Sequence, residues 1–136
     1  MRFPLRVIAQ SMTARDDEAM AVQLNRAALA YARRLIDEGR FIADRRTDWS
    51  EDRPSARMEN EFIKAHGWAE YALWHLGIND EGTENTKGRF KFPYGDFDYV
   101  HRCALISAES RAGQYKHFDI EAATIELREL IDAPKK

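Results

Sequence analysis

An all-α fold, built as an irregular orthogonal bundle of about five helices with two long loops, is what three features of the sequence predict. Apolar residues recur at three- and four-residue steps in several separate segments, and capping residues bracket those segments. The residues that break helices gather in two stretches, 40–54 and 78–96. Alternation is confined to Arg89-Phe90-Lys91-Phe92, enough for one short β piece.

The strongest helical pattern runs from Asp16 to Glu38. Met20, Leu24, Ala27, Ala28, Tyr31 and Leu35 form its stripe, Asp16, Asp17 and Glu18 complement the dipole in the first turn, and Gly39 follows the last. Residues 40–54 have no sustained period and end in Pro54, which predicts a loop with one extended piece around Phe41 and Ile42, pinned by Trp49. A second helix opens near Ser55, with Ser55 or Asp52 as cap, and runs through Phe62 and Ile63 to Gly67. The third, Trp68 to Leu76, stops at Gly77.

After the second loop, Pro93-Tyr94-Gly95 makes a turn and Asp96 stands where an N-cap belongs. The fourth helix is expected from Phe97 to about Lys116, with Val100, Ala104, Ala108, Ala112 and Tyr115 on its stripe and small residues permitting a close approach. Asp119 caps the last helix, where Ile120, Ala123, Leu127, Leu130 and Ile131 make a narrow apolar face that ends at Pro134.

At 136 residues, 44% of them hydrophobic, the chain suits one core. Residues 1–15 read as an N-terminal extension, 16–133 as a single helical domain and 134–136 as a tail. Met12 and the residues after it read like a natural start, which would make 1–11 an upstream addition; a short edge strand, Phe3 to Ile8, is the alternative. With 21 Lys and Arg against 23 Asp and Glu, no single-sign field would gather polyanions, so nucleic acid is disfavoured as a partner. No apolar run is long enough to span a bilayer, and the one cysteine, Cys103, suits a reducing compartment, so a cytoplasmic location is expected.

Chemistry has few places to reside. Among His66, His75, His101 and His117, only His101 has a ligand-type partner, Asp98, at a clean three-residue spacing, and no second copy of that pair exists. No metal and no cofactor are therefore expected. On a continuous helix His101 and Cys103 would point to different faces, which leaves Cys103 as a small buried residue rather than a nucleophile. Nucleotide and hydrolase signatures are missing from the sequence.

The run Trp74-His-Leu-Gly77, then Thr86-Lys-Gly-Arg-Phe-Lys-Phe-Pro-Tyr-Gly-Asp96 and Val100-His-Arg102, resembles a small bacterial protein family with no assigned activity, over roughly residues 30 to 132. Lys87 to Ile131 is similar, more distantly, to a loop-helix-helix pattern near the ends of some phage-type proteins. The resemblance implies that Tyr94, Gly95, Asp96, His101 and Arg102 belong to one local arrangement. The binding residues expected from this reading are Trp49, Arg89, Tyr94, Asp96, His101 and Arg102. The leading expectation is a non-enzymatic interaction or ligand-binding module, self-associating or meeting a protein partner through the last or fourth helix. Two alternatives stand beside it: a small enzyme with Asp98 and His101 as acid-base pair, and a weak phosphate or nucleic-acid binder using Arg45, Arg46, Lys87, Arg89 and Lys91.

Overall fold

Asn25 sets the start of the first helix. The computed structural model describes residues 22–133. Val22–Leu24 form a strand, β1, rather than the middle of a helix, and α1 (Arg26–Asp37) begins behind it. Asn25 is extended and its Oδ1 accepts the Ala28 N–H at 3.3 Å, so it caps α1. Its Nδ2 donates to the carbonyls of Ala72 and His75 at 3.0 and 3.2 Å, tying that cap to a distant corner of the chain. The expected first turn at Asp16–Glu18, Met20, the Phe3–Ile8 alternative, the extension 1–15 and the tail 134–136 lie outside the described residues.

Downstream come β2 (Phe41–Ile42), a 3-10 turn (Arg46–Asp48), one turn of helix α2 (Trp49–Asp52), α3 (Ala56–His66) and α4 (Trp68–Ala72). β3 (His75–Asn79), β4 (Phe90–Pro93) and β5 (Val100–His101) follow, then two long helices, α5 (Arg102–Gln114) and α6 (Phe118–Asp132). Strands β1, β3 and β4 form an antiparallel sheet in that order, and β2 pairs in parallel with β5. The expected all-α class is therefore corrected: the domain is mixed α and β. Ser55 and Gly67 bracket α3 as expected, and Phe41–Ile42 is the expected extended piece.

The helix expected through Leu76 stops at Ala72 because the following segment is a strand buried on both faces. His75, Leu76, Gly77 and Asn79 are all buried, so the run shows no alternation that would distinguish it from a short buried helix. Gly77 is the centre of that strand and not a helix stop. A Cβ there would come within 2.7 Å of the Phe92 ring and 2.9 Å of a Val22 methyl, so its missing side chain lets both neighbouring strands pack closely.

A second correction concerns the helix expected from Phe97, which begins at Arg102 instead. Phe97 has a φ of +75°, incompatible with a right-handed helix, and Asp96 caps a turn. The Asp96 Oδ1 accepts the N–H groups of Asp98 and Tyr99 at 2.9 and 2.7 Å. Beyond that turn the β-branched Val100 and then His101 run extended beside Phe41 and Ile42. The last helix opens at Phe118, slightly ahead of the expected cap at Asp119.

Helices α1, α5 and α6 pack around the sheet, burying Ala32, Leu35, Leu105, Ala112, Ile120 and Leu127. The apolar face of α6 is thus internal, with Leu130 and Phe118 left exposed. Arg102 forks onto Asp132 at 2.8 and 3.0 Å, joining the start of α5 to the end of α6. No helix among the described residues is long and apolar enough to cross a membrane.

The turn carrying Asp96 depends on Gly95. A Cβ there would lie 2.5 Å from the Tyr99 carbonyl oxygen, which accepts the Asp96 N–H, and 2.6 Å from the buried Trp74 ring. Gly95→Ala is expected to cost roughly 1–3 kcal/mol in urea unfolding, as overpacking does. Gly88→Ala, where a Cβ meets nothing within 4 Å, is the control and should change stability by less than about 0.5 kcal/mol.

Candidate functional site

The parallel pairing of β2 with β5 places Ile42 opposite His101, so the chain leaving β2 passes beside the first turn of α5. Asp44 lies on that exit. Its Oδ1 accepts the backbone N–H of Cys103 at 2.8 Å, making it a helix cap supplied by a residue 59 positions away. Its Oδ2 accepts from His101 Nδ1 at 2.7 Å and from the Cys103 thiol at 3.0 Å. From the opposite side, Asp96 Oδ2 accepts from His101 Nε2 at 2.8 Å.

Both ring nitrogens of His101 therefore donate to carboxylates, which makes the ring an imidazolium held between two anions. Its side chain is only 5% exposed, that of Asp44 is 8% and that of Asp96 is 25%. Trp49 lies over the ring, with centroids 5.7 Å apart. Asp52, 36% exposed, forms the solvent side, its Oδ2 3.7 Å from His101 Nδ1.

Burial disfavours the charged form of His101, but the hydrogen bonds and charges of Asp96 and Asp44 outweigh it and raise the pKa to about 9. For Asp44, burial pushes upward and the bonds from His101 and Cys103 prevail, bringing it to about 2. Burial, reinforced by the neighbouring Asp44 carboxylate, raises the Cys103 thiol well above its ordinary value, so it is not a thiolate nucleophile. Asp52 is raised as well, first by sharing a hydrogen bond with Asp44.

Of the expected site residues, Trp49, Asp96 and His101 come together here. Asp98 does not: its carboxylate is 76% exposed and meets Arg40 at 3.4 Å, since the turn at Phe97 replaces the helix that would have aligned it with His101. Arg102 turns to Asp132, while Arg89 donates to the carbonyls of Gly82 and Asp80 at 2.8 and 3.3 Å. Tyr94 is fully buried, its hydroxyl donating to the Leu73 carbonyl at 2.6 Å. The sequence reading missed Asp44 and Asp52 and set Cys103 apart from His101. Because β5 ends at His101 and α5 begins at Arg102, the two side chains are not spaced as on one helix, and both reach Asp44. Only the Phe41–Ile42 pairing could have hinted at this, and a two-residue strand leaves no periodic trace.

One ligand-type atom from each of Asp44, Asp52, His101 and Cys103 lies within 4.8 Å of every other. Searches against family models, curated proteins and solved structures found no match to this chain.

A second buried histidine shows the opposite electrostatics. His75 faces the Tyr71 carbonyl, 2.9 Å from Nδ1, with no carboxylate bonded to it among the described residues; burial lowers its pKa to about 4. The folded-state value of His101 is raised above 6.5, so the stability it contributes is full below pH 6.5 and is lost as pH rises through 9. That of His75 is depressed, so its contribution is full above pH 6.5 and is lost as pH falls through 4. NMR titration of the ring protons in chelator-treated protein should give midpoints near 9 for His101 and near 4 for His75. A His101 midpoint at its ordinary position would show that the two carboxylates do not hold it.

Proposed function

We propose that the protein is a binding module for a small amphipathic anion, such as an aromatic or aliphatic carboxylate, sulfonate or phosphate. The observation that carries this reading is the lining of one cleft of about 290 Å³. Its walls are Val22, Trp49, Phe90, Phe92, Ala104 and Ala108, and its titratable lining is Arg53, Lys91, Arg111, Tyr115 and His117. No carboxylate lines it among the described residues, although acidic residues outnumber basic ones in the sequence as a whole. Apolar walls with a few cationic groups suit a ligand with one hydrophobic body and one negative head.

The volume is at the small end of the range for ligand pockets, which favours a compact ligand over a polymer. The competing readings have less support. Of the cations considered for phosphate binding, Lys87 pairs with Glu59 at 3.2 Å, Arg45 with Asp48 at 3.8 Å and Arg89 with Asp80 at 3.8 Å, while Lys91 belongs to the cleft itself. The acid-base reading places its imidazole outside the cleft, with both nitrogens engaged by carboxylates. The apolar face of α6, considered as a contact surface, is packed inside.

The test uses 1-anilinonaphthalene-8-sulfonate and decanoate on the full chain, followed by fluorescence and calorimetry. Saturable one-to-one binding is expected, weakened roughly tenfold or more by Arg111→Gln, the scale of one lost charged hydrogen bond. Ser107→Trp, which fills the cleft from α5, should abolish it. Binding that is unsaturable, or unchanged in both variants, contradicts the proposal.

A further inference from the structure

We infer that Asp44, Asp52, His101 and Cys103 form a binding site for a divalent transition metal, with Zn²⁺ the best-fitting ion. This is independent of the anion cleft, because none of the four residues lines it. The donor set combines imidazole nitrogen, thiol sulfur and two carboxylate oxygens, all within 4.8 Å of one another. Soft and borderline donors in that mixture suit Zn²⁺, whereas Mg²⁺ and Ca²⁺ take oxygen ligands.

The distances suit a tetrahedral ion. Bonds of about 2.0–2.3 Å to oxygen, nitrogen and sulfur place neighbouring ligand atoms roughly 3.3–3.7 Å apart. His101 Nδ1 and Asp52 Oδ2 already stand at 3.7 Å. Asp44 Oδ2 is 2.7 Å from Nδ1 and 3.0 Å from the Cys103 sulfur, the shorter separations of hydrogen bonds, and a metal would replace the shared protons with a modest expansion.

Features outside the four donors support the assignment. The second nitrogen of His101 is bonded to Asp96 at 2.8 Å, the carboxylate–histidine arrangement that fixes the ring of a metal ligand and raises its basicity. Asp96 is itself held by two backbone N–H groups, so this support is rigid. The remaining oxygen of Asp44 is occupied by the Cys103 N–H, which leaves Oδ2 as the donor. Asp52, on the solvent side, gives an ion a route in. His101 and Asp44 are nearly sealed from water, an environment that lowers competition from solvent once the ion is bound.

The test is titration of chelator-stripped full-length protein with Co²⁺, read by absorption, and with Zn²⁺ as competitor. One equivalent of Co²⁺ should produce a thiolate-to-metal charge-transfer band with the strong visible bands of four-coordinate cobalt, and Zn²⁺ should displace both. Cys103→Ser should remove the charge-transfer band. Asp52→Asn, at a partly exposed position where folding is least at risk, should weaken binding at least tenfold, and Asp96→Asn should weaken it about 10–100-fold without changing stoichiometry. A featureless spectrum, or cobalt binding as strong in Asp52→Asn and Cys103→Ser as in the unsubstituted protein, overturns the assignment. Such a failure leaves the sulfonate titration of the cleft unaffected, so the two readings fail separately.

Discussion

His101 is gripped from both sides, by Asp44 on the chain leaving β2 and by Asp96 on the turn before β5. The strands it joins are only two residues long, too short to hold register by backbone bonding alone. Charge-assisted bonds to one ring hold both loops to the start of α5, and Asp44 also caps that helix through Cys103. Removing one arm would leave the other charges buried without their counterpart, a larger loss than the bond itself. The turn that carries Asp96 to this ring includes a left-handed residue, Phe97, whose φ is +75°.

Phe97 shows how the strain is supported. A bulky residue in the left-handed region costs about 1–3 kcal/mol. Its ring stacks on Phe62 at 4.3 Å and meets Trp74 edge-on at 6.0 Å, and the reversed backbone turns Asp96 back toward His101. Gly95 provides the space for the same turn beneath Trp74 and Tyr99. Trp49 links the two proposed activities, since it covers the imidazole and also lines the anion cleft.

Local signals in the sequence located the elements that local physics determines. Ser55 accepting the Met58 N–H, Gly67 ending α3, Gly39 following α1 and the Phe41–Ile42 piece were all legible, as was Trp49 as the residue pinning the loop. β3 was not, because a strand buried on both faces loses its alternation and Gly77 imitates a helix stop. The site was legible only in fragments. Asp96 and His101 were picked out in one segment, but the acid paired with His101 was misplaced to Asp98 by the assumption of a continuous helix. Asp44 contributes from 57 residues away through a strand pairing too brief to leave a pattern, so no spacing rule could have found it.

The claim that His101 is the shared partner of both loops is tested most directly by a double-mutant cycle between Asp96→Asn and His101→Gln, measured by urea unfolding of chelator-treated protein near pH 6. Coupling of about 1.5 kcal/mol or more is the expected result, within the range seen for residues in one hydrogen-bonded network. Additive losses, with coupling below about 0.3 kcal/mol, would contradict it and leave Asp96 and His101 energetically independent.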